Sequence, residues 1–211
     1  MVITYLGAEF FKVQYGDTTI AYNPVSKESK LKSARFGADI ALVALNHRDM
    51  TGAGQVEFGG KKPFVISGPG EYEIKGIFTK GYKSLSHYDG EERYNTIYVL
   101  NLENMNLCFL GALSKDLDSE TKEALDDIDI LFLPIGGKGV LTPAEANKLA
   151  VSLEPKLVIP MHYGDIGEQN ALKTFLKEAG ENPKPIDKLT IKKKDLEGKE
   201  GEVVVLEPAG A

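Results

Sequence analysis

The residues best suited to chemistry sit where apolar runs end in polar turns. Ile40 to Leu45 is a continuous apolar run, and the turn after it carries His47 and Asp49. Lys156-Leu157-Val158-Ile159-Pro160 is a second such run and leads into Met161-His162-Tyr163-Gly164. Buried strands that end in polar turns are how an α/β sheet or sandwich presents reactive groups at its strand ends. The third histidine of the chain, His87, lies in a polar loop beside Ser86. Adjacency in sequence rarely gives the geometry of a serine–histidine couple, and no third group is spaced to complete one. Read from residue type alone, Asp49 is suited to capping a following helix, with His47 and His162 hydrogen-bonded within their turns.

Other reactive residue types read as structural. Cys108 lies in the apolar run Leu107–Leu110 and is expected to be a buried thiol, not a nucleophile. Gly136-Gly137-Lys138-Gly139 has the look of a phosphate cradle but lacks the flanking residues of a P-loop. Glu71 and Glu73 share a strand face, with no nucleophile placed near them.

The elements that must position these groups follow from periodicity. Val2–Leu6, Phe10–Tyr15 and Thr18–Tyr22 alternate as strands, with turns at Gly16-Asp17 and Asn23-Pro24. Short strands follow at Pro63–Ile66, Glu71–Ile74, Ile77–Tyr82, Asn95–Leu102 and Leu107–Leu110. Helices are expected at Ser119–Leu125, capped by Ser119, and from Thr142-Pro143-Ala144-Glu145 to about Leu153. A third runs over Asn170–Ala179 and stops at Gly180. Asp129–Pro134 is a buried strand between them, and Thr190-Ile191 and Glu202–Leu206 close the chain. Strands first, then strands alternating with helices, predict a single α/β or α+β domain over residues 1–211.

Composition narrows the function. At 211 residues and 42% hydrophobic, the chain can bury one substantial core. A net charge of −6 gives no overall attraction to nucleic acid or anionic lipid. The one basic run, Lys192–Lys194, is flanked by Asp187, Asp195 and Glu197. A single cysteine excludes an intrachain disulfide and a cysteine-built zinc site. No apolar stretch approaches the ~20 residues of a membrane span. MVITYLG lacks the charged and long apolar regions of a secretory signal, so the expected location is cytoplasmic.

Several stretches, in order, resemble the metallo-β-lactamase-fold hydrolases, closest to the small bacterial zinc-dependent branch related to ascorbate-phosphate lactonases. They are Tyr5-Leu6-Gly7, Ala38-Asp39-Ile40, Gly68-Pro69-Gly70-Glu71-Tyr72-Glu73, Asn95-Thr96-Ile97-Tyr98, Leu110-Gly111, Leu133-Pro134-Ile135-Gly136-Gly137 and Val158-Ile159-Pro160-Met161-His162-Tyr163. The resemblance implies an αββα sandwich, two mixed β-sheets flanked by helices. It also implies two zinc ions at the strand ends, held by five histidines and two aspartates, with a bridging hydroxide as nucleophile.

The ligands of that centre are largely replaced. The family motif His-x-His-x-Asp-His aligns with Leu45-Asn46-His47-Arg48-Asp49-Met50, which keeps only His47 and Asp49. The next family histidine falls at Ser86 or His87. The bridging aspartate falls on Ala112, the histidine of the same pattern on Phe109, and a histidine after Tyr-Leu-Gly on Ala8. An aspartate before proline becomes Asn23. His162 is retained. These substitutions imply an apolar pocket in place of a charged one, and a degenerate hydrolase retained for binding or structure. The partners expected for it are an unidentified small-molecule ligand and a second copy of itself in a homo-oligomer. The alternative is a hydrolase of a small ester, lactone or phosphate-bearing substrate. It would use one divalent metal, zinc or manganese, on His47, Asp49 and His162, with His87 as a further candidate ligand and Asp49 as the catalytic residue. On the first reading the cofactor is none.

Overall fold

A computed structural model describes residues 1–209. Its strands are β1 (Val2–Tyr5), β2 (Phe11–Tyr15), β3 (Thr18–Tyr22), β4 (Ile40–Leu42), β5 (Phe64–Ile66), β6 (Gly70–Ile74), β7 (Ile77–Ser86), β8 (Arg93–Leu102), β9 (Met105–Phe109), β10 (Ile130–Pro134), β11 (Leu157–Met161), β12 (Leu189–Thr190) and β13 (Glu202–Val203). The helices are α1 (Ser119–Ala124), α2 (Pro143–Leu153) and α3 (Ala171–Ala179). The strands form a six-stranded sheet, β12-β1-β2-β3-β4-β5, and a seven-stranded sheet, β13-β11-β10-β9-β8-β7-β6. Both are mixed: β3-β4-β5 and β9-β10-β11-β13 run parallel, and the remaining pairs are antiparallel. This is the two-sheet sandwich of the metallo-β-lactamase fold.

The strands alternate because the sheets share an apolar interior. Tyr5, Phe11, Tyr22, Phe109 and Phe132 meet there, with ring centroids 4.8 Å apart for Tyr5–Phe11 and for Tyr22–Phe109. On the outer face of the seven-stranded sheet, Cys108, Leu131, Leu133 and Val158 pack under Ala146, Leu149 and Phe175 of α2 and α3. The outer face of the six-stranded sheet is covered differently. Ala21, Ala38 and Ala41 are small enough for the segment around Val25, Leu31 and Phe36 to lie against them, with a single 3-10 turn, Ala53–Val56. The expected outer layer is therefore helical on one side and mostly loop on the other.

The two halves are built alike. Asp39 and Asp129 each precede a strand with parallel neighbours on both sides, and each is clamped to one neighbour: Thr19 N–H donates to Asp39 Oδ2 and Asn106 N–H to Asp129 Oδ2, both at 2.9 Å. Each carboxylate also receives two lysines, Lys61 and Lys75 on Asp39, Lys156 and Lys193 on Asp129. Burial raises the Asp39 carboxyl, but the lysines and the Thr19 N–H outweigh it and hold the group down at about 2.

Helix signals were mostly local. Thr142 and Glu145 form a capping box at α2, and Gly180 closes α3 in the left-handed region. The cap of α1 is a correction: Asp118, not Ser119, accepts from Thr121 N–H, at 2.7 Å. Among the described residues no helix is long and apolar enough to cross a membrane.

Candidate functional site

The continuation of β4, the β1–β2 and β7–β8 connections, and the exits of β3, β9, β10 and β11 converge at one end of the sandwich. The sheets are joined there, since Thr96 N–H donates to Ala44 O at 2.8 Å and Leu45 bridges to Asn95. Asn95 is buried and braces the exit of β9, donating to Leu110 O at 2.8 Å and accepting from Ala112 N–H at 3.0 Å.

His162 leaves β11 with φ of +61°, fully buried. Its N–H donates to Ala8 O at 2.7 Å, and its Nδ1 lies 2.5 Å from Glu9 Oε1. Glu9 is buried too, and its other oxygen accepts from Asn23 Nδ2 at 2.7 Å. Asn23 Oδ1 in turn accepts from Ala44 N–H at 2.7 Å. Ala8 and Asn23 also have positive φ, at +53° and +43°. Three left-handed non-glycine residues around one carboxylate cost of order 1–3 kcal/mol each and persist only where surrounding bonds hold them. His162 Nε2 is buried without a partner.

His47 is nearly buried, and both its nitrogens are engaged. Nδ1 lies 3.3 Å from the N–H of Asp49 and 3.5 Å from Asp49 Oδ2, and Nε2 lies 3.3 Å from Asp89 Oδ2. Asp49 caps no helix, contrary to one expectation: its oxygens accept from Ser29 Oγ at 2.5 Å and from Tyr88 Oη at 2.7 Å. The following 3-10 turn has Gly52 at its cap and no side-chain cap bond.

Tyr88 organises these groups. Its ring meets that of His47 at 5.0 Å and that of His162 at 4.9 Å, near-perpendicular in both cases. Burial, then its bond to the Asp49 carboxylate, pushes the phenol above its ordinary range, so it remains a protonated donor. Leu45, Met50, Ala112 and Val140 form a separate buried cluster packed against the same ring.

The structure thus gathers His47, Asp49 and His162 around Tyr88 and leaves His87 outside. His87 Nδ1 lies 2.8 Å from Ser114 Oγ and its Nε2 3.2 Å from Glu92, on a partly exposed ring. Ser86 is fully buried, and its Oγ accepts from Tyr88 N–H at 3.1 Å. Glu9, Tyr88 and Asn95 are the residues sequence reasoning missed. The available signal for Glu9 was an acid set directly before Phe10-Phe11 in an apolar strand region. The glycine turn after β10 has a packing reason: a Cβ on Gly136 would come 2.0 Å from His162 O, and one on Gly139 2.4 Å from His87 O. Cys108 is buried, and burial pushes its thiol up, away from nucleophilic use.

A profile of the Beta-lactamase superfamily domain matches residues 2–162. The chain belongs to that superfamily. A metal-dependent hydrolase of Lysinibacillus sphaericus is 26% identical over 195 residues, covering 77% of this chain and 85% of its own. A candidate Zn-dependent hydrolase of the metallo-beta-lactamase superfamily from Thermotoga maritima is 28% identical, with a TM-score of 0.79 over 98% of both chains. The metallo hydrolase Igni18 of Ignicoccus hospitalis shares the fold at 20% identity, TM-score 0.64, covering 98% of this chain and 95% of its own.

Whether these residues suit the metals of such relatives is a question of donors. Two histidines on one zinc bring their nitrogens to roughly 3.4 Å, from Zn–N distances near 2.1 Å and a tetrahedral angle. Here a tyrosine ring contacts both imidazoles, and both His47 nitrogens are spoken for. Among the described residues no group of three or more His, Cys, Asp or Glu is placed to hold a metal ion. In this arrangement the donor set does not fit a metal centre.

Proposed function

We propose that this chain is a metallo-β-lactamase-fold, hydrolase-like protein that keeps the scaffold of its metal-dependent relatives without their two-metal chemistry. It is retained for binding or structure. The observation that carries the reading is the packing of Leu45, Met50, Ala112 and Val140 against Tyr88 at the strand ends. Thioether and hydrocarbon groups there offer no hard donor to a zinc or manganese ion. A small-molecule ligand and a homo-oligomeric state belong to the same proposal, and the net charge of −6 weighs against a nucleic-acid partner.

One observation supports a second reading, a hydrolase with a single divalent metal on His47, Asp49 and His162. His162 has one ring nitrogen fixed by a buried carboxylate and the other unpartnered, which is how metal-ligating histidines are oriented.

Elemental analysis of protein purified without chelator separates the two, alongside esterase, lactonase and phosphodiesterase assays on wild type and His162→Ala. The first reading expects well under one equivalent of zinc plus manganese and no activity that depends on His162. A full equivalent of metal, lost together with activity in His162→Ala, would overturn it.

A further inference from the structure

β5 is the last strand of the six-stranded sheet, and its outer side has no strand beside it among the described residues. Phe64 N–H donates to Asp39 O and Ile66 O accepts from Val43 N–H, both at 2.8 Å. Alternate residues of β5 therefore turn their backbone to β4, and the N–H and C=O of Val65, between them, point outward. The same edge is apolar: Phe64 is 54% exposed and Val65 45%. Unpaired backbone beside exposed hydrocarbon is a template on which a further strand pairs.

The flanks of β5 decide which strand fits it. Lys62 stands exposed before β5, next to Lys61, which is held by Asp39. Glu71 and Glu73 follow on β6, exposed, and Glu71 stays 78% exposed although it reaches Lys80 at 3.2 Å. From Lys61 to Glu73 the chain thus runs basic, apolar, acidic. Antiparallel pairing sets the start of one strand beside the end of the other, so this segment is complementary to itself. With Val65 opposite Val65 of a second copy, Phe64 meets Ile66, Pro63 meets Ser67, and Lys62 meets Gly68, three residues before Glu71. The two Val65 residues exchange a pair of backbone hydrogen bonds, and Pro63, which has no N–H, limits the ladder. β6, the edge of the other sheet, resists the same use. Antiparallel copies of it centred on the glutamates set Glu71 and Glu73 against each other or against themselves.

We propose that β5 is a dimerisation edge, on which two copies of this chain pair antiparallel through Val65 and join their six-stranded sheets across a two-fold axis. Lys62 of each copy then lies towards Glu71 of the other, and the symmetry makes the contact twice. The proposal gives a surface to the homo-oligomer of the proposed function and rests on that part of it. A three-residue strand buries little area, so the dimer is weak and assembles in the micromolar range.

The test is sedimentation of the full chain from about 1 to about 300 µM, with hydrogen exchange read at single amides. Wild type is expected to pass from monomer to dimer, with the Val65 N–H exchanging at least about fivefold more slowly in the dimer. Val65→Asp, at a position already open to solvent, is expected to stay monomeric, with folding checked by circular dichroism. Lys62→Glu and Glu71→Lys should each weaken association about tenfold, because like charges then face each other at both contacts. Mixed in equal amounts, these two variants should recover the wild-type affinity, since each contact of the mixed dimer again joins a lysine to a glutamate. No recovery on mixing overturns the proposal. Association untouched by Val65→Asp also overturns it and leaves the homo-oligomer standing on another face. A Val65 N–H equally protected in the dilute monomer means that the chain covers its own edge, and the proposal fails. A monomer at every concentration overturns the edge and the homo-oligomer together, while metal content tests the rest of the proposed function independently.

Discussion

Replacing Glu9 with alanine removes a carboxylate that two buried groups depend on. His162 Nδ1 loses its partner at 2.5 Å and Asn23 Nδ2 its acceptor at 2.7 Å, with Glu9 and His162 at 1% and 0% exposure. Each orphaned polar group costs about 1–3 kcal/mol, and breaking a buried pair by deleting one partner costs about 3–5 kcal/mol. Some of this returns if the left-handed backbones at Ala8, Asn23 and His162 relax, so the expected loss is about 3–4 kcal/mol. Urea unfolding followed by circular dichroism reads it directly. With a slope near 2 kcal/mol/M, the midpoint should fall by roughly 1.5–2 M at unchanged slope. Glu9→Gln should lose less than half as much, because a carboxamide can still accept from Asn23 and donate to His162. A cycle with His162→Ala should show coupling of about 1–3 kcal/mol. A loss under 1 kcal/mol for Glu9→Ala, at unchanged slope, would refute the view that this carboxylate holds the strand ends together.

Acid sensitivity should trace to the lysine-clamped aspartates. Asp39 titrates at about 2 in place of the ordinary 3.8, so its clamp contributes roughly 2 kcal/mol above the unfolded value, lost as pH falls from about 4 towards 2. Asp129 is lowered likewise: its lysines and the Asn106 N–H outweigh burial, which alone would raise it. Asp39→Asn should therefore flatten the stability–pH curve between pH 4 and 2, and a curve parallel to wild type there would contradict the assignment. Gly136→Ala places a Cβ 2.0 Å from His162 O and should destabilise by about 1–3 kcal/mol or more in thermal unfolding. Gly54→Ala, with nothing within 4 Å of the added carbon, should stay within about 0.5 kcal/mol, and equal effects at the two positions would count against the close approach.

Much of this molecule was readable one segment at a time. Alternation placed the strands, Thr142-Pro143-Ala144-Glu145 started α2, Gly180 ended α3, and the two apolar runs ended where His47 and His162 stand. These features depend on neighbours a few residues apart, so local propensity and periodicity suffice for them. That leucine at 45, methionine at 50 and alanine at 112 offer no hard donor was equally legible, because these residues state their chemistry by type. What the donors do was not legible. Glu9 meets His162 across 153 residues and Tyr88 meets Asp49 across 39. A carboxylate's partner is set by which side chains the closed sandwich brings within 3 Å, and no spacing rule reaches that far. Residue pattern thus fixed the order of the elements, and the family resemblance the sandwich they form. Only the closing of the two sheets decided that a tyrosine ring would lie against His47 and His162 and that a buried glutamate would hold His162.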